Sequence, residues 1–96
     1  MPEKHYRLVV PNEIAQLIRT LHPHIKKKVK ASLKIILSDP DSGKSLKNEL
    51  AGLKSFRVSK FRIIYRTGKG RVVELVAVGP RERIYEETYR LIKSGR

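Results

Sequence analysis

Residues 53–78 read LKSFRVSKFRIIYRTGKGRVVELVAV, and the period of this stretch decides the fold. Apolar and polar residues alternate over Leu53–Val58 and again over Phe61–Thr67, the two-residue repeat of half-buried strands. Only Ser59 and Lys60 separate the two runs, so they predict a hairpin. Gly68-Lys69-Gly70 is a second turn signal, leading into Arg71–Val78. That third run is apolar on both sides apart from Glu74, as expected of a central strand covered by helices on at least one face. In the middle strand, alternation places Phe61, Ile63 and Tyr65 on the face that packs under helices. Arg62, Ile64 and Arg66 fall on the other, and Arg62 and Arg66 are expected to stand about 7 Å apart, near the spacing of adjacent phosphates on a single strand. On the neighbouring strand Lys54, Phe56 and Val58 alternate with Ser55 and Arg57, which offers that surface another cation.

The rest of the chain supplies the helices. Tyr6, Leu8 and Val10 outline a short first strand ended by Pro11. Ile14, Leu17, Ile18 and Leu21 then follow the spacing of an amphipathic helix. Asn12 and Glu13 favour its start, by capping and by complementing the helix dipole. Pro23 suits the first turn of a second helix. There Ile25, Val29, Leu33, Ile36 and Leu37 share a face, and Lys26, Lys27, Lys28, Lys30 and Lys34 mostly occupy the other. This helix stops before Pro40, because the residue ahead of a proline resists helical dihedrals. Asp39 to Gly52 reads as a loop with one helical turn around Leu46–Leu50. Ile84, Thr88, Leu91 and Ile92 predict a C-terminal helix. The order βααβββα predicts an α+β fold. An N-terminal helical hairpin packs on a small, mostly antiparallel four-stranded sheet, with residues 1–96 forming a single domain.

Composition narrows the function classes. Twenty-two Lys and Arg against nine Asp and Glu give a formal net charge of +13 on 96 residues. That excess self-repels and favours nucleic acid, ribosomes, anionic lipid or an acidic protein partner. The 40% apolar content is that of an ordered domain. With no cysteine, disulfides and thiolate zinc sites are excluded. His22 and His24 have no carboxylate at ligand spacing, and His5 stands alone near the N-terminus, so neither metal nor cofactor is expected. No apolar run approaches the roughly 20 residues that span a bilayer, and the N-terminus does not read as a signal peptide. The expectation is a cytoplasmic protein with no membrane contact.

Arginines set between apolar strand residues suit one chemistry in particular. RNA cleaves when its 2′-OH attacks the adjacent phosphorus, which requires a base, an acid and stabilisation of charge at phosphorus. Fixed guanidinium groups meet the last need. A lysine crowded by cations is a proton-transfer candidate, which brings in Lys54. Tyr85 or Tyr89 is placed to orient, protonate or stack on a base, and Glu49 is the carboxylate nearest the basic stretch. Each residue also has a structural reading: Tyr65 as core, Arg62 and Arg66 as solvated strand residues, the lysine face as a hydrated helix surface.

Three segments carry a family resemblance. Leu46-Lys47-Asn48-Glu49-Leu50-Ala51-Gly52-Leu53 resembles the leucine-x-x-leucine-x-glycine approach of the RelE/ParE toxin superfamily. Phe56-Arg57-Val58-Ser59-Lys60-Phe61-Arg62-Ile63-Ile64-Tyr65 is similar to its core strand pair. Val76-Ala77-Val78-Gly79-Pro80-Arg81-Glu82-Arg83-Ile84-Tyr85 is similar to its ending. The RelE branch implies a metal-independent mRNA endonuclease that enters the A site of the 70S ribosome and leaves a cyclic phosphate and a 5′-OH. Carried over by position, the working residues are Lys54, Arg57, Arg62, Arg81 and Tyr85. The resemblance also implies a RelB-like antitoxin whose acidic or amphipathic segment covers the basic surface, and no small-molecule cofactor. Two departures stand out. Ser59-Lys60 replaces the usual glycine-aspartate turn, and Glu86 and Glu87 bring carboxylates beside Tyr85. The alternatives are a ParE-like inhibitor of DNA gyrase and a non-catalytic RNA- or ribosome-binding homologue.

Overall fold

A computed structural model describes residues 6–94. The elements are β1 (Arg7–Val9), α1 (Asn12–Thr20), α2 (Pro23–Ser38), β2 (Lys44–Ser45), β3 (Lys54–Val58), β4 (Phe61–Gly68), β5 (Val72–Pro80) and α3 (Ile84–Ser94). Single 3-10 turns at Pro40–Ser42 and Asn48–Leu50 flank β2. The sheet runs β1-β5-β4-β3-β2, with β1 parallel to β5 and every other pair antiparallel. The α+β class and element order match the expectation, but the sheet has five strands rather than four. The extra one, β2, is two exposed residues held by pairing with β3. It has no apolar alternation of its own to betray it.

Both helices of the hairpin start on local chemistry. Pro11, not Asn12, takes the N-cap position of α1, and its carbonyl accepts from the Ile14 and Ala15 amides. Asn12 is the first helical residue. At α2 the His22 imidazole caps by accepting from the His24 amide, and Pro23 fills the first turn, where a missing N–H costs nothing. Ile14, Ile18, Val29, Leu33 and Ile36 pack on Val58, Ile63, Tyr65, Val73, Leu75 and Val78, so the core lies between the hairpin and one sheet face. Leu17 departs from its expected burial and is 41% exposed, because α1 rests on the sheet along the narrower stripe of Ile14 and Ile18. On the other sheet face Leu53, Ile64, Ala77 and Ile84 form a second core under α3. Leu91 and Ile92, expected on the buried face of that helix, are exposed, and only Ile84 and Thr88 anchor it.

An irregularity in β5 serves both cores. Ile64 pairs with Ala77 but Tyr65 with Leu75, which leaves Val76 as the extra residue of a bulge. Leu75 and Val78 thereby both face the hairpin, while Val76 and Ala77 pack with the α3 core. Among the described residues no helix is long and apolar enough to cross a membrane.

The β3–β4 turn is strained. Ser59 has φ +58°, in the left-handed region that suits glycine. Ser59→Gly should therefore raise stability by about 0.5–1 kcal/mol. An unchanged or lower urea midpoint would contradict that reading of the turn.

Tyr65 fastens the segment that carries β2. Its ring is fully buried, its hydroxyl donates to the Pro40 carbonyl at 2.6 Å, and it accepts from the Gly43 amide at 3.0 Å. Gly43 lies so close that an added Cβ would meet the Tyr65 hydroxyl at 2.5 Å. Burial pushes the phenol pKa up, against the opposing bond from the Gly43 amide. A raised pKa means that the neutral phenol's contribution is whole below about pH 10 and is lost as pH rises through the folded-state value. Tyr65→Phe should cost about 1–3 kcal/mol at neutral pH. The gap between variant and wild type should narrow above about pH 10, and a gap constant with pH would rule out this role.

Candidate functional site

Register assigns the strand residues to faces. Arg57 pairs with Arg62 and Ser55 with Ile64, so these four side chains share the face that α3 crosses. Gly79 lies opposite Arg62 on β5. A Cβ there would meet Ile84 Cδ1 at 3.1 Å and Glu87 Oε1 at 3.6 Å, so the bare backbone lets α3 approach. Ile84 fixes the helix in the second core, and Tyr85 follows it over the sheet.

Arg62, Ser55 and Tyr85 form the centre. Arg62 Nη1 donates to Ser55 Oγ at 3.0 Å, and the Tyr85 hydroxyl donates to the same oxygen at 3.2 Å. The guanidinium carbon lies 5.8 Å from the Tyr85 ring centroid, within cation–π reach. Ser55 itself is buried. Arg62 is thus held in place, yet its Nε is buried without a hydrogen-bond partner. An unpaired buried donor on a charged group is costly, and an incoming oxyanion would relieve it.

Two clefts flank this centre. Arg57, Ser59, Lys60, Arg81 and Glu82 line one of 420 Å³. The Arg81 amide donates to the Lys60 carbonyl at 2.9 Å, tying the exit from β5 to the β3–β4 turn. The other, 340 Å³, is lined by Lys44, Ser45, Leu46, Lys47, Asn48, Leu50 and Tyr85. Arg62 stands between them, next to Arg57 across the strands and against Tyr85 on the helix.

Of the residues expected at the site, Arg57, Arg62, Arg81 and Tyr85 come together here. Lys54 does not join that face. It pairs with Tyr65 and points from the opposite side of β3. Its Nζ donates to Ser45 Oγ at 3.2 Å and lies 3.8 Å from Asp41 Oδ1, so it meets a hydroxyl and a carboxylate rather than a crowd of cations. Through Ser45 it borders the smaller cleft. The expected pairing of Arg62 with Arg66 as a two-phosphate grip is also absent. Ile64 between them is buried under α3, and Arg66 Nε is bonded to Glu74 Oε1 at 3.0 Å.

Tyr85 rather than Tyr89 reaches Arg62, since the Tyr89 ring contacts Lys93. Glu86 pairs with Arg90, and Glu49 is exposed on its 3-10 turn. Ser55, Lys60, Lys44, Lys47 and Asn48 were missed as site residues. Ser55 was detectable as the small polar residue beside Arg57, but only register and the seat of α3 show what it binds. His5 lies outside the described residues. Among the described residues no group of three or more His, Cys, Asp or Glu is placed to hold a metal.

This constellation and its fold have relatives. The family model described as the ParE toxin of the type II toxin–antitoxin system parDE matches residues 5–85. No curated protein matches the chain. Among solved structures, the toxin–antitoxin complex RelBE2 from Mycobacterium tuberculosis is similar over 83% of this chain and 95% of that one. The TM-score is 0.71 at 25% identity. A mutant of the E. coli toxin RelE in the free state is similar over 90% of this chain and 92% of that one, with TM-score 0.71 and 22% identity. The archaeal RelE–RelB complex from Pyrococcus horikoshii covers 82% and 98%, with TM-score 0.67 and 18% identity. The last two likenesses are of fold alone.

Proposed function

The chain belongs to the ParE toxin family of type II toxin–antitoxin systems, and on that premise we propose that it is an endoribonuclease cutting mRNA in the ribosomal A site. The observation that carries this reading is Arg62. It is fixed by Ser55 and Tyr85, its Nε has no partner, and Arg57 and Arg81 stand on a cleft beside it. In the reaction the 2′-OH bonds to phosphorus, the 5′ oxygen leaves, and a 2′,3′-cyclic phosphate and a 5′-OH result. Arg62 binds the non-bridging oxygens and gains its missing partner as negative charge grows on them. Arg57 and Arg81 hold the flanking phosphate. Tyr85 stacks on the adjacent base, and Lys54 adds charge at the rim of the smaller cleft through Ser45.

The +13 charge also fits a protein partner. The similar Mycobacterium tuberculosis and Pyrococcus structures are complexes with antitoxins. A RelB-like antitoxin with an acidic segment that folds on binding would cover this surface and silence it.

A second reading is supported by the family model itself, which is that of ParE: inhibition of DNA gyrase without RNA cleavage. Two parallel assays separate the readings. Purified protein is added to a reconstituted translation reaction and to a gyrase supercoiling reaction. The nuclease reading expects shortened mRNA in the first and unaltered supercoiling in the second. Intact mRNA with blocked supercoiling would replace it with the gyrase reading.

A further inference from the structure

We propose that the 340 Å³ cleft between the residue 44–50 segment and Tyr85 reads one nucleobase of single-stranded RNA, with Asn48 selecting the base. The proposal rests on RNA being the ligand, as above, and adds a sequence preference that the cleavage chemistry does not contain.

The walls divide by chemistry. Leu46, Leu50 and the Tyr85 ring supply apolar and aromatic surface, and all three are half-buried against the second core. Lys44 and Lys47 are exposed cations in the same lining. The volume falls within the roughly 300–1,000 Å³ of small-ligand sites. An aromatic platform beside lysines is how proteins hold unpaired RNA, the ring stacking on a base and the cations meeting the backbone. Both kinds of contact are blind to base identity.

Two polar side chains in the lining are able to discriminate. Ser45 already accepts from Lys54. Asn48 is unengaged: its side-chain amide has no hydrogen-bond partner among the described residues. Its backbone is held at φ +57°, a conformation Asn tolerates better than most residues but still at a cost. A strained residue whose amide is left open in a cleft wall is placed for a ligand. An amide offers a donor and an acceptor side by side, the complement of the adjacent amino group and ring nitrogen of adenine.

The test uses the full chain and short fluorescent oligoribonucleotides of a single base each. They are 2′-O-methylated so that no attacking hydroxyl is present, and binding is read by anisotropy at fixed salt. Oligoadenylate should bind at least about fivefold tighter than the others. Asn48→Gly keeps the left-handed backbone and should level the series. Asn48→Asp only accepts hydrogen bonds and should move the preference to cytosine, whose amino group donates. Lys44→Ala with Lys47→Ala should weaken all four ligands alike and flatten the salt dependence. No binding, no discrimination by the wild type, or an order unmoved by both Asn48 variants would overturn the proposal. Cleavage with an Asn48-independent preference would sink this site and leave the nuclease reading standing. Base-selective binding without cleavage would do the reverse.

Discussion

Arg62→Ala should reduce mRNA cleavage by about 10²–10³-fold, the loss expected when one preorganised donor to a developing oxyanion is removed. Folding should hardly change. The wild-type side chain keeps a buried Nε without a partner, so truncation removes an uncompensated polar atom along with the packing of its aliphatic stem. These effects oppose each other, and the urea midpoint should shift by no more than about 1 kcal/mol equivalent. Arg62→Lys should recover only part of the activity, because an ammonium keeps the charge but lacks the planar fork held by Ser55 and Tyr85. Arg81→Ala should cost less, since Arg81 is exposed on the neighbouring cleft. A folded Arg62→Ala protein that cuts at the wild-type rate would remove the guanidinium from the mechanism.

The second large effect comes from a residue that touches no substrate. Ile84 is 1% exposed in the core formed with Leu53, Ile64 and Ala77. Ile84→Ala should cost about 2–5 kcal/mol at that contact. The loss should be local. Beyond Ile84 and Thr88 the helix offers no other buried residue, and Leu91 and Ile92 face solvent, so α3 lifts away while the hairpin-side core stays packed. Tyr85 then leaves Ser55 and Arg62. Cleavage should fall to the level of Tyr85→Ala, and α3 amides should exchange hydrogen far faster than those of β4 and β5. Uniform acceleration across the sheet would show global destabilisation instead.

Much of this was legible in the chain. Long periodic segments gave both hairpin helices and three strands, since burial on one face leaves a repeat of 3.6 or 2 residues. The face of Lys54 was legible too. A two-residue turn at Ser59-Lys60 pairs Val58 with Phe61, and counting back pairs Lys54 with Tyr65, on the hairpin side. Alternation along one strand assigns a residue to one of two faces, and only turn length says which face it shares with the next strand. Other features left no local trace. The Val76 bulge follows from two cores competing for β5, and the value of Gly79 follows from the approach of α3. The Arg66–Glu74 pair, which takes Arg66 out of the site, depends on register across that bulge. The exposure of Leu17, Leu91 and Ile92 depends on how helices sit, which a periodic pattern does not encode.

The claim that matters most is that a fixed arginine on this sheet cuts message in the ribosome. The direct measurement is primer extension on mRNA from a reconstituted translation reaction, comparing wild type with the Arg62→Ala/Arg81→Ala double variant, with the terminus upstream of each cut analysed for a cyclic phosphate. The account predicts cuts inside A-site codons, cyclic phosphate termini, and their disappearance with the double variant. Uncut mRNA with folded wild-type protein, or the same cuts from both proteins, would contradict it.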